Sequence, residues 1–371
     1  MSPLSQDLRV VLTLDAGGTS FRFNAMRSGR PVVKPVVLPS QGDDLDACLA
    51  GLVEGFRAVQ AQCPAAPVAL SFAFPGPADY PHGIIGDLPN LPAFRGGVAL
   101  GPMLADAFGL PVFINNDGDL FTYGEALAGL LPWVNEELAK AGSPKRYRNL
   151  LGVTLGTGFG GGFVQDGKLL QGDNSGAGEI WLLRNKLNPE MHAEEGASIR
   201  GLCRVYCDLA GVPLDGAPEP KEIYQIAIGG ATGHKAAARK AFRQLGEVVG
   251  DALGNALTVV DALTVVGGGL SGASSLFMPA LVDELNSTYT GPEGETLRRL
   301  SPRVFNLDDR AELGRFLKGE PRELTVPGGT RKVIYDALPR LGVGLSRLGT
   351  SEAIALGAYA FALQALDEAV V

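Results

Sequence analysis

Leu150 to Ile180 reads LLGVTLGTGFGGGFVQDGKLLQGDNSGAGEI, and the fold turns on this stretch. Leu150–Leu155 is an apolar run of strand length with β-branched content. It ends in Gly156-Thr157-Gly158, followed by Gly160-Gly161-Gly162 and a second apolar run. Asp166-Gly167 then favours a tight hairpin turn. The glycines therefore sit between two strands. Such a bend lays out successive backbone N–H groups with no side chains in the way, a nest for anionic oxygens, and Thr157 adds a hydroxyl. Gly156, Gly158 and Gly161 also match G-x-G-x-x-G, but the dinucleotide fingerprint needs a helix directly after it, and here a hairpin follows. A glycine-rich bend without a ligand is the other reading of this loop alone.

The chain has 371 residues, enough for two domains. Its 46% hydrophobic and 19% charged content suits a globular protein. A net charge of −8 without a long basic run argues against nucleic acid as a partner. The four cysteines, Cys48, Cys63, Cys203 and Cys207, form no C-x-x-C pair. Neither a signal peptide nor an apolar run of membrane-spanning length is seen. A reduced, cytoplasmic protein with no membrane partner is expected. The 51 glycines cluster at loops, which favours contact between backbone and ligand over disorder.

Arg9–Leu14 and Phe21–Ala25 read as strands around Asp15-Ala16-Gly17-Gly18-Thr19-Ser20. The Asp15 carboxylate is suited to a hydrated Mg²⁺, and the Gly17-Gly18-Thr19 backbone to phosphate. An Asp-initiated hairpin turn is the plainer alternative. Asp44 is placed to cap a helix whose apolar face includes Cys48, Leu52 and Phe56. Pro67–Phe74 is a strand. Ala78–Val98 is expected to be an irregular, ordered binding loop containing Pro89-Asn90-Leu91-Pro92. The strand Pro111–Asn115 runs into Asn116-Asp117-Gly118-Asp119 and a helix from about Leu120 to Leu131. A polar pair at the carboxyl end of a parallel strand lies where open α/β sheets bind ligands, although Asp117 also suits a helix cap. Pro132–Asn149 reads as a linker or insertion. His192 with Cys203 and Cys207, at i and i+4 on one helix, allows a metal site or plain helix packing. His234–Val260 is a long amphipathic helix. Leu263–Val266 is a buried strand ending in Gly267-Gly268-Gly269-Leu270, with a helix following near Phe277–Leu285, an order that suits a dinucleotide or an adenosine pocket. Tyr289–Leu348 reads as a polar, irregular insertion or flap, and Glu352–Leu366 as a closing helix.

Taken together, Asp15–Thr19, Phe74–Pro77, Asn90-Leu91-Pro92, Asn116–Asp119, Gly156–Gly162 and Gly267–Leu270 resemble the ROK family of sugar kinases. The match runs in order over nearly the whole chain. The resemblance implies an α/β, two-domain, actin-like ATPase (ribonuclease H-like) fold with a cleft between domains. The expected small domain is 1–131 plus 352–371. The large domain is 132–351, with insertions near 132–149 and 289–348.

The resemblance also implies roles. Asp15, Gly17, Gly18 and Thr19 would form the first phosphate loop, with Asp15 holding Mg²⁺ through water. Gly156, Thr157 and Gly158 would form the second, and Gly267, Gly268 and Gly269 the adenosine side. Asp117 would be the base on a sugar hydroxyl, with Asn90, Asn116, Glu179 and Glu194 binding the sugar. ATP and Mg²⁺ would be needed, the acceptor would be a monosaccharide, and the protein would be a homodimer. Asp119 stands where the family usually has Asn. The family's Gly-Glu-x-Gly-His and cysteine-rich loop are missing: Ile180, Trp181 and Leu182 follow Glu179, and Asn188–His192 replaces the cysteines. No zinc site is expected, and the sugar is left open between a glucose-like hexose and N-acetylhexosamine, mannose or fructose. Some members use polyphosphate as donor. A sugar-sensing repressor is the second class, but the first strand begins by Arg9, leaving no room for a helix-turn-helix domain.

Overall fold

The computed structural model describes residues 3–16, 19–76, 78–86 and 92–369. Gly17, Gly18 and Asn90, all expected in the site, lie outside the described residues. The chain divides into two compact units. Unit 1 comprises Met1–Gly129, Gly162–Gly178 and Leu348–Val371; unit 2 comprises Leu130–Gly161 and Glu179–Arg347. The boundaries expected from sequence differ from this division chiefly over 162–178, which falls with unit 1.

In chain order, unit 1 opens with β1 (Val10–Ala16), β2 (Ser20–Arg27), β3 (Val36–Pro39), α1 (Leu45–Gln60), β4 (Pro67–Ala73), α2 (Leu100–Phe108), β5 (Val112–Asn115) and α3 (Asp117–Ala128). Then come α4 (Leu130–Lys140), β6 (Leu150–Leu155), β7 (Phe159–Gln165) and β8 (Lys168–Leu169). Unit 2 continues with α5 (Glu194–Ala197), α6 (Ile199–Ala210), α7 (Pro220–Ile228), α8 (Lys235–Val260), β9 (Leu263–Gly267), α9 (Ser274–Leu285), β10 (Arg303–Asn306), α10 (Arg310–Lys318) and β11 (Arg340–Leu345). The last helix, α11 (Thr350–Glu368), belongs to unit 1.

β1 is apolar and buried from Val10 to Leu14 because it is a central strand covered on both faces. β2 alternates at first, with Phe21, Phe23 and Ala25 buried and Ser20 and Arg22 exposed, until Met26 on the other face is buried against Leu356 and Tyr359. β1 pairs antiparallel with β2 and parallel with β4, and β4 pairs parallel with β5. β3 pairs antiparallel with β2. α1 starts where the Asp44 side chain accepts the Ala47 N–H at 3.1 Å. It buries Cys48, Leu52, Phe56 and Val59 at helical spacing. Burial pushes the Cys48 thiol up to about 11, as suits a packing residue. Phe56 meets Phe23 edge-on, with ring centroids 5.1 Å apart.

The second sheet has the order β8-β7-β6-β9-β11-β10. β9 pairs parallel with both β6 and β11, and β11 pairs parallel with β10. By these labels both sheets begin third, second, first, fourth strand from one edge; beyond that the first adds β5, whereas the second runs β11 and then β10, against chain order. The hairpin from β7 to β8 turns on Asp166 and Gly167, both with positive φ (49° and 80°), the backbone that Asp-Gly adopts in a type I′ turn.

Three expectations are corrected. The segment read as a linker at 132–149 begins inside α4, which buries Leu130, Leu131, Val134 and Leu138. Pro132 is tolerated because it lies in the first turn, where its missing N–H has no helical partner to lose. The segment 289–348 is not an irregular flap. It contains β10 and β11, and β11 is buried from Arg340 to Gly344. Two hairpins add to this, Thr288–Thr290 with Thr296–Arg298, which starts one residue before the segment, and Pro321–Thr325 with Lys332–Asp336. The Ala78–Val98 stretch is partly regular: Ala78–Asp79 pairs with Ile84–Ile85, Ile85 bridges Val98, and Tyr80, Ile85 and Phe94 are buried.

Candidate active site

In unit 1 the candidate residues gather at the carboxyl ends of parallel strands. Asp15 is near the end of β1 and exposed, as is Thr19 at the other side of the turn. Asn116 and Asp117 follow β5 directly. Open α/β sheets bind ligands at this edge because the loops there leave the strand ends free. Asn116, not Asp117, is the α3 cap: it has extended backbone, and its side chain accepts the Gly118 N–H at 2.8 Å. Asp117 is the first helical residue, and its Oδ1 also accepts the Gly118 N–H, at 2.9 Å. The residue as a whole is exposed, yet the pKa of its carboxyl is raised above the ordinary value. Desolvation by the surrounding protein is the largest cause, backbone N–H groups work against it, and the negative charge of Asp15 adds to it.

The strand end that presents this pair is held by a contact that sequence reasoning missed. Gln171 Nε2 donates to Asn115 Oδ1 at 2.7 Å, tying the segment after β8 to the last residue of β5. Asn115 is fully buried, and its Nδ2 has no hydrogen-bond partner among the described residues. Asp119, in the first turn of α3, is buried as well.

In unit 2 the two glycine loops lie side by side. Gly267 is paired with Thr154, so Gly156–Gly158 and Gly267–Gly269 extend from the same ends of neighbouring parallel strands. Gly268 has φ +87°, and a Cβ there would stand 2.3 Å from the Leu155 carbonyl oxygen. Only glycine allows the two loops to approach this closely. The nest expected at Gly156–Gly162 is partly occupied by the protein itself. The Gly156 N–H bonds to Gly158 O at 3.0 Å, and the Phe159 N–H donates to Glu194 Oε2 at 2.9 Å. Arg200 Nη2 donates to Glu194 Oε1 at 2.7 Å and to Glu195 Oε1 at 2.6 Å. Glu195 is held below the usual carboxylate range by Arg204 first and Arg200 next, against its partial burial. The Glu179 carboxylate accepts the Trp181 indole N–H.

The residues weighed for a metal do not converge. Cys203 Sγ donates to the Pro218 carbonyl at 3.5 Å, Cys207 is buried in α6, and the His192 ring meets Trp181 edge-to-face at 5.2 Å. Among the described residues no three His, Cys, Asp or Glu side chains stand close enough together to hold a metal ion. No helix among them is long and apolar enough to cross a membrane.

A twice-used strand order, with acidic residues and glycine turns at the carboxyl ends of the strands, defines a two-domain protein of the actin-like ATPase fold. The family model described as "ROK family" matches residues 11–317, and the chain belongs to that family. The N-acetyl-D-glucosamine kinase of Vibrio vulnificus strain YJ016 is 31% identical over 271 residues, covering 69% of this chain and 83% of the relative. A glucokinase from Parabacteroides distasonis, solved as a crystal structure, is 55% identical, with a TM-score of 0.89 over 98% of this chain and 99% of its own. A Streptomyces griseus ROK family glucokinase, solved with glucose and AMPPNP, shares the fold at 19% identity and a TM-score of 0.57, covering 95% and 98% of the two chains.

Proposed function

We propose that this protein is an ATP-dependent hexose kinase that phosphorylates a hydroxyl of glucose or a close analogue. The observation that carries this reading is Asp117. It opens α3 at a strand end, the capping role belongs to Asn116, and desolvation raises its carboxyl above the ordinary carboxylate value, the direction that strengthens a base. Glucose is put first because the Parabacteroides glucokinase is 55% identical over almost all of both chains. N-acetylglucosamine is the second reading, resting on the 31% identical Vibrio kinase.

In this reading Asp117 takes the proton from the acceptor hydroxyl as its oxygen bonds to the γ-phosphorus and the bond to the β-phosphate oxygen breaks. Phosphoryl transfer asks the protein mainly for positioning and charge stabilisation. The glycine loops at 156–158 and 267–269, with Gly268 pressed on Leu155, present backbone in place of side chains, which fits a nucleotide. Gly17, Gly18 and Thr19 would serve the phosphates in the same way. The exposed Asp15 carboxylate fits a hydrated Mg²⁺, which would supply neutralisation of phosphate charge. Asn90, Asn116, Glu179 and Glu194 would hold acceptor hydroxyls. We also expect a cytoplasmic homodimer, which light scattering would test. The function itself is tested by ADP release across glucose, N-acetylglucosamine, N-acetylmannosamine, mannose and fructose. Turnover highest with glucose supports the first reading, and turnover with none contradicts both.

A further inference from the structure

Between Glu179 and Glu194 the chain forms a closed clip. Glu179 precedes a single helical turn, Ile180–Leu182, and its carboxylate accepts the indole N–H of Trp181. The chain then turns back on itself. Arg184 bridges His192, the Asn185 N–H reaches Met191 O at 3.0 Å, and the Ala193 N–H reaches Leu183 O at 2.6 Å. The turn is shaped by the buried Asn185, whose Oδ1 accepts the N–H groups of Leu187 and Asn188 at 3.0 and 3.1 Å. His192 brings its ring edge-to-face with Trp181, centroids 5.2 Å apart. Two residues later Glu194 is fixed by the Phe159 N–H and Arg200. One tryptophan therefore touches both arms: by hydrogen bond the arm that carries Glu179, and by ring contact the arm that leads into Glu194.

We propose that Trp181 is a positioning residue for acceptor specificity, holding the Glu179 carboxylate in one orientation and setting its spacing from the Glu194 arm through His192. The inference rests on the reading of both glutamates as acceptor-binding groups. A hydrogen bond to a charged group is among the stronger ones, and its loss frees a carboxylate to rotate. The indole N–H and the ring do different work, so substitutions separate them. Trp181→Phe keeps the ring contact and removes the N–H, whereas His192→Ala keeps the N–H and removes the ring partner.

The test begins with wild-type turnover on the sugar panel; absence of turnover there would fail the kinase reading, not this one. In an active enzyme, Trp181→Phe is expected to raise the KM for the preferred sugar about tenfold or more and to narrow its preference over the other sugars. The nucleotide KM and Tm should stay near wild type. His192→Ala should show a smaller change of the same kind. The chain has two tryptophans, so Trp133→Phe leaves Trp181 as the sole indole reporter, and saturating sugar should change its emission. Unaltered sugar KM and preference in a folded Trp181→Phe enzyme, or emission indifferent to a sugar that is turned over, would overturn the inference.

Discussion

Gly124 of α3 lies so close to Ala353 of α11 that a Cβ on Gly124 would stand 2.0 Å from the Ala353 carbonyl oxygen. Gly357 of α11 meets Leu120 of α3 in the same way, also at 2.0 Å. Two glycines facing two backbones let these helices pack nearly backbone to backbone. The helix so located is the one that begins at Asp117. Neither glycine can take a methyl group without moving a helix, since the obstacle is backbone rather than a flexible side chain. Gly124→Ala is therefore expected to lower stability by about 1–3 kcal/mol or more and to lower turnover beyond the effect on Tm. Chemical denaturation alongside kinetics checks this; a variant with unchanged stability would contradict the packing.

Gly158 makes a comparable allowance for Glu194. A Cβ there would stand 2.8 Å from Glu194 Oε2, the atom that accepts the Phe159 N–H. Gly158→Ala should push the carboxylate from that N–H. The expected result is a raised sugar KM of about five- to tenfold, for the loss of roughly one charged hydrogen bond, with Tm little affected. Steady-state kinetics with sugar and nucleotide varied separately would show whether the nucleotide term moves instead.

The raised pKa of Asp117 has consequences for pH with a definite sign. An acid whose folded pKa lies above its unfolded value penalises the folded state where it is charged. The penalty is full above the raised pKa and vanishes below the unfolded one, near 3.9 for Asp. Asp117→Asn should therefore match or exceed wild-type Tm at neutral pH, and the difference should shrink as pH falls through the carboxylate range. The acid limb of wild-type kcat/KM should lie above the range of an ordinary exposed carboxylate. A limb at ordinary values, or a Tm difference that grows on acidification, would contradict this.

Much of this was legible from residue patterns, and the gaps have physical causes. Asp166-Gly167 announced its hairpin because few dipeptides tolerate two positive φ angles. The Gly156 and Gly267 loops announced themselves by following apolar runs. β11 was hidden because Gly342 and Gly344 replace the branched side chains that mark a strand; a Cβ on Gly342 would stand 2.6 Å from Leu307. Its first residue, Arg340, looks like surface but is buried, donating to the Phe316 carbonyl at 2.6 Å and paired with Asp336. α4 was hidden by a proline that does it no harm. The sequence offered Asp117 as the cap and the structure gives that role to Asn116, because Asn and Asp side chains cap equally well and the choice falls to backbone geometry. The links from Gln171 to Asn115 and from Trp181 to His192 join residues distant in sequence, and no periodicity encodes them.

The central claim is that Asp117 is the base, and Asp117→Asn tests it most directly. The change keeps the size of the side chain and removes the proton acceptor, and the α3 cap at Asn116 is untouched. The measurement is the turnover number of the purified variant at saturating sugar and MgATP, with its Tm recorded on the same preparation. The account predicts kcat lower by about 10²–10⁴-fold with Tm at or above wild type. Wild-type turnover, or a loss of activity matched by loss of fold, would contradict it.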